Sequence, residues 1–209
     1  MMSAGTDGTV DELHGAVDRL VHEFAGVYPR ETVAECVHDS RARLGVQRIK
    51  TYEALLAYRF ARQRLRAGAV VSGLLPREVP EVLIVCTHNA GRSQLAAALL
   101  EQRAGGRVSV RSAGTVPAPD LHAGVRETLA EVGADAADAF PKPLTDEFVA
   151  AADVVVTMGC GDACPVVPGR RYVDWDLPDP EGAGPDELRR IRDEVSARVD
   201  LLMHELLGA

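Results

Sequence analysis

Residues 82–95 read Val82-Leu-Ile-Val-Cys86-Thr-His-Asn-Ala-Gly-Arg92-Ser-Gln-Leu95. Val82 to Val85 form a short apolar run, the pattern of a buried strand. Ser93 to Leu100 reads as a helix with Leu95 and Leu99 on one face and alanines around them. The loop between them starts at Cys86 and ends at Arg92. A strand, a tight loop and a helix N-terminus make an anion site: loop and first-turn N–H groups turn inward, and the helix dipole adds positive potential. Arg92 adds a guanidinium that can clamp two oxygens of a tetrahedral oxyanion. Cys86 is expected beneath that anion, where the same field favours its thiolate and the Ser93 hydroxyl is a further donor.

The bare spacing of a cysteine, five residues and an arginine is weak evidence, because it occurs again at Cys164-Pro-Val-Val-Pro-Gly-Arg170. There, two prolines remove N–H donors and no apolar strand leads in. The first stretch has the strand before it, the helix after it and small polar residues between.

With that context, Cys86-Thr87-His88-Asn89-Ala90-Gly91-Arg92-Ser93 resembles the phosphate-binding loop of the low-molecular-weight tyrosine phosphatase superfamily. Within it Cys86-Thr-His-Asn-Ala-Gly-Arg-Ser-Gln94 looks most like the arsenate reductases of that fold. The resemblance spans about residues 80–209, an ordinary size for one domain. It implies that residues 87–93 bind substrate and that Cys86 is the nucleophile. The competing reading of Cys86 is a structural thiol at a strand end.

The chain has 209 residues, 46% apolar and 26% charged, which suits a globular protein of one large or two small domains. A net charge of −8 argues against general binding to nucleic acid or anionic membranes. Met1 to Val10 lacks the basic and apolar regions of a secretory signal, and no apolar run reaches spanning length. Four cysteines without a framework spacing suit a reducing cytoplasm.

Residues 1–75 are expected to hold a small three-helix domain and its linker. Val10, Leu13, Val17, Leu20, Phe24 and Val27 recur at helical spacing; Val33, Cys36, Val37 and Leu44 mark a second helix, and Tyr52, Leu56 and Phe60 stripe a third. Cys36 reads as a small core residue. Residues 67–81, punctuated by Gly68, Gly73, Pro76 and Pro80, read as a linker. From Arg41 to Arg66 eight basic residues face one acid, Glu53, whereas residues 81–209 hold 12 basic and 21 acidic residues. A solvated face is the simpler reading of this basic stretch; docking to DNA or an acidic partner is the alternative.

Residues 80–209 alternate strands and helices. Val108 to Arg111, Asp153 to Thr157 and Arg171 to Trp175 read as further strands. Helices are expected over Leu121 to Val132, around Phe148 and Val149 with Thr145 and Asp146 as cap, and from Pro185 to beyond Leu202. This is an α/β pattern: a four-stranded parallel sheet with helices on both faces, its site at the strand C-terminal ends.

Two further features are expected at that end. Met158-Gly-Cys160-Gly-Asp-Ala-Cys164 follows the third strand. Zinc binding there lacks a second Cys or His pair, and inert buried thiols are the other alternative to a dithiol relay. Resemblance to thioredoxin-coupled arsenate reductases implies relay roles for Cys160 and Cys164. Their three-residue separation requires a bent loop, so a reduced structure is expected to hold the sulfurs apart. Asp179-Pro180 matches the superfamily's Asp-Pro pair, which implies that Asp179 is the general acid; otherwise it is an ordinary turn aspartate. Asn89 also matches one ligand of a potassium site of some relatives, but Ala97 stands where a glutamate is needed, so no metal is expected.

The reading as a whole is an arsenate reductase using Cys86, Cys160 and Cys164, with an external thiol reductant and no bound cofactor. Expected partners are arsenate and thioredoxin, or mycoredoxin or a small thiol such as mycothiol or glutathione; no nucleic acid or membrane is expected. A low-molecular-weight tyrosine phosphatase is the alternative enzyme, against which Ala90, Gly91 and Glu181-Gly182 depart from the phosphatase pattern. A metalloid-sensing regulator using the basic stretch on DNA is the reading outside enzymes, and the helical region lacks vicinal cysteines for it. The helical domain is expected to pack on the catalytic domain or to form a homodimer.

Overall fold

The structure is a computed structural model describing residues 7–45, 52–160, 164 and 166–208, with only the backbone described over 7–11. The chain divides into two compact units, Met1–Pro76 and Arg77–Ala209.

The first unit holds α1 (Asp7–Glu23), α2 (Arg30–Leu44) and α3 (Glu53–Val71). Leu13, Val17, Leu20 and Phe24 from the α1 stripe meet Val33 and Val37 of α2 in one core. The Val10 side chain lies outside the described residues. The α3 face differs from the expected stripe: Tyr52 is exposed and Leu56 only half-buried, while Ala54, Ala57, Ala61 and Leu65 enter the core. Alanines let the three backbones approach closely, so large side chains alone do not mark the inner face. Phe60 is nevertheless fully buried.

Two other expectations change here. α3 runs on to Val71, through Gly68 and the start of the expected linker. Cys36 is half-buried, its Sγ 3.8 Å from the Ala61 carbonyl. The basic stretch is extensively paired within this unit: Arg41 with Glu53, Arg43 and Arg64 with Asp39, and Arg62 with Glu23. These pairs support a solvated, internally compensated face.

The second unit carries β1 (Glu81–Cys86), α4 (Arg92–Ala104), β2 (Ser109–Gly114), α5 (Val125–Ala130), α6 (Asp146–Ala151), β3 (Val154–Met158), β4 (Arg171–Asp174) and α7 (Pro185–Leu207). All strand pairs are parallel, in the order β2-β1-β3-β4. Alternation along the strands sends Val82, Ile84, Val154 and Val156 into a core with Leu95 and Leu99 of α4, Leu129 of α5, and Ile191, Val195 and Val199 of α7. Leu83, Val85 and Val155 are buried on the other face, where α6 brings Phe148 over the Arg111 guanidinium. Arg111 forms a buried ion pair with Glu81 of the adjacent strand.

α5 is shorter than the expected Leu121–Val132 helix and begins after Gly124, whose φ of 80° breaks the helical path. Thr145 stands at the N-cap of α6, but its hydroxyl makes no cap bond and has no partner among the described residues.

From β1 the chain moves to β2 on one side and later to β3 on the other. Such a switch opens a crevice at the strand C-terminal ends, where Cys86 and Met158 lie level in the register.

Candidate active site

Residues 87–91 join β1 to α4, and the loop's carbonyls turn outward. Those of Cys86, Thr87, His88 and Ala90 accept the N–H groups of Thr115, Val116, Ala118 and His122, at 2.8 to 3.2 Å. With the carbonyls engaged outside, the N–H groups are left for the inside of the curve. The N–H groups of Arg92 and Ser93 at the start of α4 join them, lacking intrahelical acceptors, while that of Gln94 donates to the Gly91 carbonyl.

Asn89 is the internal brace. Its φ of 48° is the sole positive value for a non-glycine among the described residues. Its N–H donates to Cys86 Sγ at 3.2 Å, and its side-chain amide donates to Ser93 Oγ at 2.9 Å. Its side-chain oxygen accepts the Lys142 N–H at 3.0 Å, and its carbonyl accepts from Gln94 at 2.9 Å. Every polar group of this fully buried residue is engaged, which offsets the cost of its backbone conformation.

Cys86 and Ser93 lie 3.0 Å apart, Sγ to Oγ. Because Ser93 already accepts from Asn89, its hydroxyl proton is available to the sulfur. Cys86 therefore receives two donors, the Asn89 N–H and the Ser93 hydroxyl.

Arg92 opens α4 and is 9% exposed. Its Nη2 donates to Asp179 Oδ2 at 2.6 Å, and its Nη1 lies 3.4 Å from the Leu177 carbonyl. Two glycines permit these approaches. A Cβ on Gly159, at φ +68°, would meet Arg92 Nη1 at 2.9 Å, and one on Gly91 would meet Pro180 Cγ at 2.2 Å. The Asp179-Pro180 segment is thus seated against the loop, with Asp179 Oδ1 accepting the Glu181 N–H at 3.0 Å.

Cys160 lies two residues beyond Met158, whose Cα is paired with that of Cys86. Thr87 Oγ1 donates to the Gly159 carbonyl at 3.1 Å, tying the two loops together. Contrary to the expected separation, Cys160 Sγ and Cys164 Sγ are 2.7 Å apart as free thiols. Gly161, Asp162, Ala163 and Pro165 lie outside the described residues. The hydrogen bond from Cys164 pulls Cys160 down to about 7, while the same bond pushes Cys164 up, so one thiol of the pair ionises readily and its partner keeps its proton.

Residues 81–208 match the model of the low molecular weight phosphotyrosine protein phosphatase family, and residues 13–69 match that of the protein-tyrosine-phosphatase-like N-terminal domain. The chain belongs to the low molecular weight phosphatase family. The structure is similar to that of the thioredoxin-dependent arsenate reductase of Corynebacterium glutamicum, at 42% identity and a TM-score of 0.83, covering 94% of this chain and 96% of that one. An arsenate reductase of Brevibacillus brevis is 33% identical over 122 residues, 56% of this chain and 90% of the relative. A glutaredoxin arsenate reductase of Synechocystis is 30% identical over 129 residues, 60% of this chain and 98% of the relative.

The sequence reading missed several residues of this low molecular weight phosphatase site. Lys142 is buried behind the loop and pulled down to about 8 by desolvation. Gln94 links Asn89 to the Phe140 carbonyl. His122 is bonded to the loop through its backbone. Lys142 and His122 reach the loop from distant segments, and no local pattern announces such a contact, whereas Gln94 follows the loop directly in the first turn of α4. Asn89 in a loop of small residues was the one legible signal of a left-handed turn.

Proposed function

We propose that the chain reduces arsenate to arsenite by a three-cysteine relay. The observation that carries this reading is the paired Cys160–Cys164 thiols in the loop after β3, two residues beyond the point level with Cys86. Hydrolysis of a phosphate ester needs no such pair. The names of the Corynebacterium, Brevibacillus and Synechocystis proteins support the same substrate.

Arsenate is a tetrahedral oxyanion that fits the cradle of residues 87–93, its oxygens on inward N–H groups and the Arg92 guanidinium. The Cys86 thiolate attacks arsenic, an As–O bond breaks, and the oxygen departs as water with a proton supplied through Asp179. The Cys160 thiolate then attacks Cys86 Sγ. The electron pair of the S–As bond passes to arsenic, which leaves as arsenite, and a Cys86–Cys160 disulfide remains. Cys164 attacks Cys160 Sγ, releasing Cys86 as a thiol and leaving a Cys160–Cys164 disulfide. An external dithiol of the thioredoxin or glutaredoxin class returns two electrons. All electrons come from thiols, so the cycle needs no bound cofactor.

The test is steady-state arsenate turnover with a thioredoxin system, with glutaredoxin and glutathione, and with mycothiol and mycoredoxin, set beside hydrolysis of an aryl phosphate. Arsenite release sustained by a dithiol protein, with aryl phosphate hydrolysis at least about tenfold less efficient, is expected. Aryl phosphate hydrolysis with no arsenite release would overturn the reading in favour of the phosphatase.

A further inference from the structure

We propose that His88, His122 and Glu181 form a binding site for a zinc-class divalent cation at the rim of the anion loop, and that its occupancy closes the site. One side-chain ligand atom from each of the three lies within 4.8 Å of the others. His88 Nδ1 is 4.0 Å from Glu181 Oε2, and the two imidazole rings stand edge to face with centroids 6.2 Å apart. Two imidazoles and a carboxylate are the donor set of many three-ligand zinc sites with an open fourth position. Bond lengths of about 2.0–2.2 Å put tetrahedral donors roughly 3.3 Å apart, so a contraction of up to about 1.5 Å, within reach of side-chain rotation, would complete the site.

Preorganisation supports the assignment. The three residues come from segments separated by 34 and 59 positions, yet the backbone of each is tied to the catalytic loops. His88 belongs to the anion loop, and its carbonyl accepts from Ala118. The His122 N–H donates to Ala90 of that loop, and the Glu181 N–H donates to Asp179. A second observation is independent of this spacing: His122 Nδ1 is buried and has no hydrogen-bond partner among the described residues. A buried ring nitrogen left unpaired costs free energy unless something is bound to it or oriented by it.

The consequence follows from what each ligand is attached to. A cation held by all three joins the anion loop through His88 to the Asp179-Pro180 segment through Glu181. That bridge spans the entrance to Cys86 and hinders Asp179 from moving away from Arg92. A zinc-class ion therefore acts as a reversible inhibitor whose ligands are nitrogens and a carboxylate, not the catalytic thiols. The site itself is independent of the arsenate reading; only its inhibitory effect is read through that activity.

The experiment titrates Co2+ alone into the reduced full-length protein, following visible absorption, and then displaces it with Zn2+. The wild type is compared with Glu181→Gln, an exposed change that leaves the loop intact, and with His122→Ala. The expected result is a cobalt component without sulfur-to-metal charge transfer, weakened at least about tenfold in either variant. Zn2+ inhibition of turnover should weaken in parallel, with metal-free turnover in Glu181→Gln unchanged. Equal cobalt affinity in all three proteins would overturn the proposal. So would a component lost on Glu181→Gln that carries a thiolate band. The cobalt readout stands whether or not arsenate is the substrate.

Discussion

The Asp179 carboxylate lies 2.6 Å from the Arg92 guanidinium, in the position where a bound oxyanion would compete for the same donors. Two anions cannot share the paired N–H groups of one arginine without repulsion, so substrate entry must loosen this ion pair. Release from Arg92 is also what makes Asp179 available to protonate a leaving oxygen. Asp179→Asn therefore separates binding from catalysis. Phosphate, used as a competitive ligand, should bind at least as tightly as in the wild type, while turnover falls by about 10²- to 10⁴-fold. Weaker phosphate binding in this variant would mean that Asp179 only braces Arg92. Arg92→Lys should instead weaken both, because an ammonium lacks the paired donors.

Ser93 is the hydroxyl donor to the Cys86 sulfur, with its own oxygen held by Asn89. A hydrogen bond to a charged group contributes roughly 1.5–3 kcal/mol, about 10- to 100-fold in an equilibrium or rate that depends on it. Ser93→Ala should slow iodoacetamide alkylation of Cys86 at neutral pH by about that factor. An unchanged rate would assign stabilisation of the sulfur to the loop N–H groups alone.

Behind the loop, Lys142 is buried with its ammonium near the Ser112 hydroxyl and the Phe140 carbonyl. Desolvation lowers it to about 8, opposed only in part by Glu101. A cation lowered in the folded state carries a penalty that is full below that value. The penalty is relieved as pH rises from about 8 toward the unfolded value of about 10.4. Between pH 7 and 9 the gain is on the order of 1 kcal/mol. Urea denaturation at both pH values should show this increment in the wild type and its loss in Lys142→Met. Asn89 is bonded to the Lys142 backbone and should keep its place, so the variant should retain turnover.

Much of this site was legible because its central part is local. A strand, a small-residue loop and a helix run consecutively through Cys86 and Arg92, and each obeys its own periodicity. The Asp-Pro pair and the two later cysteines became legible only through their place after the last strands. What stayed hidden is carried by tertiary contact. Lys142 and His122 approach the loop from other segments, Gln94 ties it to the distant Phe140 carbonyl, and a buried ammonium has no sequence signature. The inner face of α3 was misread for a related reason: Ala54, Ala57 and Ala61 make the contact, and small residues carry little weight in a hydrophobic stripe. The short α5 shows tertiary structure overriding periodicity, since Gly124 sets where that helix begins.

The helical unit has a core of its own, and Arg77–Ala209 has a separate one. Removal of residues 1–75 should therefore leave a folded catalytic unit with a two-state denaturation. Light scattering on both proteins tests the proposed homodimer: halving of the subunit number on deletion places the dimer contact in the helices. Monomers in both cases would remove that proposal.

The relay makes the strongest demand on the structure, because each thiol must have a different role. Cys160 is the one drawn down to about 7, and the hydrogen bond from Cys164 is the main cause. It is therefore the nucleophile for the Cys86 adduct, and the step should slow as pH falls through about 7, approaching tenfold per unit once the thiolate is the minor form. In Cys164→Ser a hydroxyl can still donate to Cys160; in Cys164→Ala nothing replaces the donor, and Cys160 should return toward the ordinary thiol value of about 8.5. At pH 7 that leaves roughly 16-fold less thiolate, offset in part by its greater intrinsic nucleophilicity, for a net slowing of about three- to fourfold. Both variants should stop after one turnover with arsenate and accumulate a Cys86–Cys160 disulfide, identifiable by peptide mass mapping, with the serine variant reaching it faster at pH 7. If a small thiol resolves the arsenic adduct directly, both variants would keep cycling with glutathione or mycothiol and no such disulfide would accumulate. If Cys164 is the attacking thiol, Cys160→Ser would trap a Cys86–Cys164 disulfide instead, and the order of the two residues would be reversed.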